Sequence, residues 1–122
     1  RKGRDLKKFF EPLETFTIET WREVMSVNLD GLFIVAREIG KGMAERGSGS
    51  IIQTGSIYGA KMGPDQRIYA GSDYMGGPIN TPPVYTTSKA GVHGLTLHLA
   101  TYWGHRGVRV NTVTPGGVSS GK

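Results

Sequence analysis

The spacing of apolar residues changes character several times along the chain. Trp21, Val24/Met25, Leu32, Val35/Ala36, Ile39 and Met43 recur at helical period, which predicts a helix over 18–46 with that stripe turned inward. Thr17 and Thr20 are both candidate N-caps, and Thr20 with Glu23 fits a capping box. Asn28 falls on the stripe between Met25 and Leu32, and Gly31 beside it weakens the helix by about 1 kcal/mol relative to Ala. The run Glu45-Arg46-Gly47-Ser48-Gly49-Ser50 stops the pattern. A short strand follows at Ile51–Thr54. Residues 57–83 form a loop rich in Gly and Pro, 84–104 form a second helix ended by Gly107, and Val108–Val113 form a strand running into Pro115-Gly116-Gly117. Ahead of all this, residues 1–16 are a charged lead-in carrying Phe9, Phe10, Leu13 and Phe16.

Helix, strand, helix, strand is the order of an α/β fold with parallel strands. Two strands do not make a self-sufficient parallel sheet, because such sheets are covered on both faces and built from several strands. The expected fold is the second half of a doubly wound sheet, incomplete as given, with 1–122 forming one partial domain. In doubly wound sheets ligands bind beyond the carboxyl ends of the strands. Ser56 follows one strand and Pro115-Gly116 follows the other, so both positions fall where a site is expected.

Composition narrows the class. At 37% hydrophobic and 20% charged the chain is ordinary globular material. Its 19 glycines lie between regular apolar segments and indicate turns and close backbone approaches. It has no cysteine, hence no disulfide framework and no thiolate chemistry. No apolar run approaches the ~20 residues of a membrane span, and no signal peptide is visible. The net charge of +5 is concentrated at the start, where Arg1, Lys2, Arg4, Lys7 and Lys8 face Asp5 alone. The body is nearly neutral, which argues against a nucleic-acid surface. The expectation is a cytoplasmic protein with neither nucleic acid nor membrane as partner, cut from a longer chain.

The candidate chemistry centres on Tyr85 and Lys89. At i and i+4 their Cβ atoms lie about 5–6 Å apart on one helix face. An ammonium beside a phenol favours the phenolate, and the helix N-terminus adds partial positive charge. Such a phenol can give a proton to an alkoxide or take one from an alcohol. Ser56 is placed to hydrogen-bond the reacting oxygen, and Asn28 to hold a water that feeds protons to Lys89. Each residue also has a plain reading: a surface Tyr–Lys contact, a turn serine, an amide that bends its helix. His93, His98 and His105 lie on or near the second helix without a carboxylate pair to complete a site, so no metal is expected.

The combination Val27-Asn28-Leu29-Asp30-Gly31, Ser50-Ile51-Ile52 through Gly55-Ser56, Tyr85-Thr86-Thr87-Ser88-Lys89-Ala90-Gly91 and Val108-Arg109-Val110-Asn111-Thr112-Val113-Thr114-Pro115-Gly116 resembles the short-chain dehydrogenase/reductase family, in its main single-domain branch. The resemblance covers the chain from about Trp21 onward. It implies a Rossmann-like fold and an NAD(P)-dependent enzyme that interconverts a secondary alcohol and a ketone. The family's Asn–Ser–Tyr–Lys tetrad falls on Asn28, Ser56, Tyr85 and Lys89. By that resemblance Tyr85 is the general acid/base, Ser56 positions the substrate oxygen, Lys89 favours the phenolate and bonds the nicotinamide ribose, and Asn28 supports a relay water. Pro115, Gly116 and the backbone of Val118 would line the nicotinamide. Ser120 stands where the family usually has Thr and keeps the hydroxyl. The family's paired helices also imply a homodimer or homotetramer of the full protein.

Two departures follow. The T-G-x-x-x-G-x-G turn that seats a pyrophosphate is absent, and with it the residue that selects NAD or NADP. The fragment alone is therefore expected to be inactive and poorly folded, and the cofactor is NAD or NADP without a choice between them. A silent, dehydrogenase-like scaffold or a truncated product is the alternative. Second, 28 residues separate Ser56 from Tyr85, against about a dozen in the family. This loop carries Tyr58, Arg67, Tyr69 and Tyr74 among polar neighbours, an arrangement suited to a polyhydroxylated substrate, anionic or neutral. Tyr58, Arg67 and Tyr74, with Ser56, are the candidate substrate contacts. The loop's wording also resembles bacterial dehydrogenases of nonulosonic-acid and flagellin-sugar pathways.

Overall fold

The computed structural model describes residues 6–71 and 79–117. Two parallel strands, β1 (Gly49–Thr54) and β2 (Val108–Val113), pair in register from Gly49 opposite Val108 to Thr54 opposite Val113. The helices are α1 (Ile18–Met25), α2 (Gly31–Arg46), the single turn α3 (Ile57–Ala60) and α4 (Pro83–Trp103). This is a partial doubly wound α/β fold, as the element order requires. β1 begins two residues earlier than its apolar run, and the second helix starts one residue earlier, with Pro83 in the first turn, where a missing N–H costs nothing.

The first helix departs from the uniform periodicity expected of it. Ser26–Asp30 forms a π turn in which the Gly31 N–H reaches back to the Ser26 carbonyl. A bond of that span places one extra residue in the turn and rotates everything beyond it. Of the expected stripe, Ala36 is buried and Met43 packs on the core, while Val35 and Ile39 turn outward. Ala36, Gly40 and Ala44 face inward, while Val35 and Ile39 are 60% and 55% exposed. The small residues allow close packing: a Cβ on Gly40 would stand 2.1 Å from the Trp103 ring. The cap differs too. Thr17, not Thr20, caps α1, its hydroxyl oxygen accepting the Thr20 N–H at 3.2 Å, and Thr20 is buried.

The core lies between α2, α4 and one face of the sheet. Ala36, Ala44, Leu99, Val108 and Val110 are buried together, with Met43, Ile51, Leu95 and Trp103 packed against them. α4 buries Val84, Ser88, Val92, Thr96 and Leu99, one face of the helix. Two of these are polar and both are bonded. Thr96 Oγ1 donates to Gln53 Oε1 at 2.7 Å and lies 2.5 Å from Thr112 Oγ1, tying α4 to both strands. Such a network fixes register because any slip strands a buried polar group. Among the described residues, no helix is long and apolar enough to cross a membrane.

Candidate active site

The carboxyl ends of the two strands are stitched together. The Gly55 N–H donates to the Val113 carbonyl at 2.8 Å and the Ile57 N–H to the Pro115 carbonyl at 3.3 Å. These bonds put Ser56 beside the Pro115-Gly116 turn. Ser56 is buried, with extended backbone, and caps α3 by accepting the Tyr58 N–H at 3.1 Å. Since its oxygen serves there as acceptor, its own proton remains available to donate.

Immediately after it, Gly59 takes φ +91°, which favours glycine, and lies against α4. A Cβ there would be 2.5 Å from the Ala90 nitrogen and 2.6 Å from the Thr86 carbonyl. The Ser56 turn is thus pressed onto the helix that carries Tyr85 and Lys89. Lys89 Nζ sits 5.8 Å from the Tyr85 ring centroid and donates to the Thr54 carbonyl at 3.3 Å. The helical spacing therefore brings ammonium and phenol together, and the strand end orients the ammonium. Tyr85 lies in the first turn of α4, where the helix dipole is positive.

Asn28 occupies the π turn and is half-buried. Its Nδ2 donates to Ser88 Oγ at 3.4 Å, and Ser88 Oγ donates to the Tyr85 carbonyl at 3.0 Å. The Asn28 side chain therefore meets the helix through Ser88, not through Lys89. Ser88 is fully buried and links Asn28 to the backbone of Tyr85. Its place one residue before Lys89, on the inner face of α4, is the signal that marks it.

Ser56, Tyr58, Tyr85, Pro115 and Gly116 all line one cavity of about 440 Å³, within the usual size of small-molecule sites. Its other wall comes from Phe10, Tyr69 and the segment Ile79–Pro82. The sequence pointed to Tyr69 only as one aromatic of a long loop, and to Phe10 and Thr81 not at all. Arg67, expected at the substrate, stands apart from that lining. Its guanidinium grips Asp65 through Nε at 2.9 and 3.1 Å and Nη2 at 2.6 Å. That partnership holds the Asp65 carboxyl below its ordinary range and raises Arg67, both at the surface. Tyr74, Val118 and Ser120 lie outside the described residues.

A sequence profile described as short chain dehydrogenase matches residues 7–76 and 74–122. The chain belongs to that family. A galactitol 2-dehydrogenase (L-tagatose-forming) of Cereibacter sphaeroides is 42% identical over 101 residues, 83% of this chain and 34% of that protein. A short chain dehydrogenase of Leptospira borgpetersenii, solved with bound NAD+, superposes with a TM-score of 0.76 at 38% identity, over 91% of this chain and 40% of that one. A gluconate 5-dehydrogenase of Burkholderia cenocepacia, solved with NADP and tartrate, gives 0.72 at 28% identity, over 92% and 38%. The chain thus spans about a third of the length of the curated relatives it matches.

Proposed function

We propose that residues 1–122 are the catalytic part of an NAD(P)-dependent oxidoreductase that interconverts a secondary alcohol and a ketone on a sugar-like, polyhydroxylated metabolite. The observation that carries this reading is the convergence of Ser56 and Tyr85 on one cavity at the carboxyl end of β1, with Lys89 beside the phenol. The relatives' activities on galactitol and gluconate support the substrate class.

In the reductive direction the Tyr85 hydroxyl gives its proton to the substrate oxygen as that oxygen becomes an alkoxide. The Ser56 O–H donates to the same oxygen and holds it within reach. The Lys89 ammonium stabilises the phenolate left behind. In the oxidative direction the phenolate takes the alcohol proton and the same two groups hold the oxygen. Asn28, through Ser88, keeps the first turn of α4 in place, and a relay water on Asn28 would return the proton.

The site fits a nicotinamide cofactor. Pro115, Gly116 and Gly117 present open backbone on the cavity wall, and a Cβ on Gly116 would stand 3.4 Å from Ile57 Cδ1. Lys89, Pro115 and Gly116, with Val118 and Ser120 farther on, would hold NAD or NADP, which supplies or accepts hydride when bound. The reading carries a cytoplasmic location with it. The apolar residues Phe33, Ile34, Val35 and Ile39 exposed on α2 support a homodimer or homotetramer of the full-length protein, which sedimentation tests.

The test is cofactor reduction by protein made from the whole reading frame, assayed with four- to six-carbon alditols and with NAD+ and NADP+ in turn. Alditol-dependent reduction is expected, and none from residues 1–122 alone. Absence of reduction with either cofactor and every alditol, in a folded full-length protein, rejects the reading.

A further inference from the structure

The long loop between Ser56 and Tyr85 contains a local device that the tetrad does not use. Asp65 accepts the Arg67 N–H at 3.0 Å and starts the 3₁₀ turn Gln66–Tyr69. A 3₁₀ turn has three residues per turn, so Gln66 and Tyr69 project on the same side. Both reach one residue fifteen and twelve positions onward. The Gln66 side-chain amide accepts the Thr81 N–H at 3.0 Å and donates to the Thr81 carbonyl at 3.3 Å. The Tyr69 hydroxyl lies 2.5 Å from Thr81 Oγ1. Asn80, next in the chain, donates from Nδ2 to the Phe10 carbonyl at 3.0 Å. Gln66 thus holds the Thr81 backbone as a neighbouring strand would, and Tyr69 holds its hydroxyl.

Tyr69 and Thr81 line the same cavity as Ser56 and Tyr85. Two hydroxyls bonded to each other commit one proton between them. The second proton is left to donate, and lone pairs remain to accept. That is the complement of a substrate hydroxyl, which itself donates and accepts. The neighbouring phenyl and phenol side chains of Phe10 and Tyr58 add apolar lining for the C–H groups of a sugar-like chain. Arg67, the cation nearest in sequence, is already committed to Asp65.

We propose that the Tyr69–Thr81 hydroxyl pair is a recognition subsite for substrate hydroxyls remote from the reacting carbon, and that Gln66 is its positioning residue. The inference rests on the oxidoreductase reading above and names the part of the site that selects neutral polyols.

The experiment compares kcat/KM for galactitol and D-threitol with that for 2-propanol, in full-length wild type and in Tyr69→Phe, Thr81→Val and Gln66→Ala. Calorimetric titration of the alditols into cofactor-loaded protein is the second readout. Tyr69→Phe and Thr81→Val are each expected to lower kcat/KM for the alditols by about 3- to 10-fold, the worth of one hydrogen bond, and to lower it less for 2-propanol. Gln66→Ala should raise KM for the alditols with kcat kept, because the reacting groups are not on the clamp. Equal losses on alditols and 2-propanol, or no loss on either, overturn the subsite and leave the oxidoreductase. Alditol binding that Tyr69→Phe weakens, without turnover of any alcohol by wild type, keeps the subsite and removes the oxidoreductase.

Discussion

The two walls of the cavity hold hydroxyl groups by different means. On the strand side, Ser56 is buried and fixed by backbone bonds from both strands and by a glycine pressed on α4. On the loop side, the half-buried Tyr69 and Thr81 are held by a local turn and by the side-chain amide of exposed Gln66. The first arrangement cannot move without disturbing the core; the second changes with a single surface substitution. On the proposed reading, reaction geometry sits on the framework and recognition on a loop, the part of a fold that best tolerates variation. The four substitutions that follow test this division in the full-length protein.

The largest effect belongs to the framework side. Tyr85→Phe keeps the ring and removes the proton carrier, so turnover should fall by at least about 100-fold with the melting temperature unchanged. Steady-state kinetics beside a thermal melt check this; a near wild-type rate would make Tyr85 a wall residue only. Lys89→Ala removes the ammonium beside the phenol and its bond to the Thr54 carbonyl. Cofactor affinity should drop by about tenfold, the scale of a charged hydrogen bond. Unchanged affinity in a calorimetric titration would remove Lys89 from the cofactor's contacts.

Gly59→Ala tests the contact that presses the Ser56 turn onto α4. At φ +91° and 2.5 Å from the helix backbone, an added methyl cannot be accommodated without displacement. The expected cost is about 1–3 kcal/mol of stability, read by denaturant titration, together with a lower kcat as the Ser56 turn lifts from α4. Full stability and rate would show that the Ser56 turn keeps its place without that contact.

The smallest effect is on the loop side. The Arg67 guanidinium lowers the Asp65 pKa in the folded state, so its contribution is present above the unfolded carboxylate pKa and is lost as pH falls through the lowered value. Because the pair is exposed, solvent screens it. Asp65→Asn should leave the melting temperature nearly unchanged at neutral pH and abolish only a slight acid-side slope in stability. A marked loss at neutral pH would place the 3₁₀ turn in the folding core.

Strands, helices and their order were legible because each carries a run of one period bounded by glycine and proline. Ile51–Thr54 and Val108–Val113 hold as strands, and the 84–104 helix shifts by one residue at each end. The Tyr85–Lys89 spacing placed both side chains on one face because four residues make about one turn. The N-cap of the first helix and the outward turn of Val35 and Ile39 were not legible. Thr17 and Thr20 satisfy the same local rule, and nothing in a periodic pattern announces that one turn will hold an extra residue.

By itself, then, the sequence determined the elements, their parallel order and the meeting of Tyr85 with Lys89, since all of these depend on neighbours within a turn or two. Tertiary structure alone decided the rest. It turned Val35 and Ile39 outward, passed Asn28 to Ser88 and brought Gln66 and Tyr69 onto Thr81. The last two outcomes are contacts between distant parts of the chain. They are set by packing, and no local window of residues contains them.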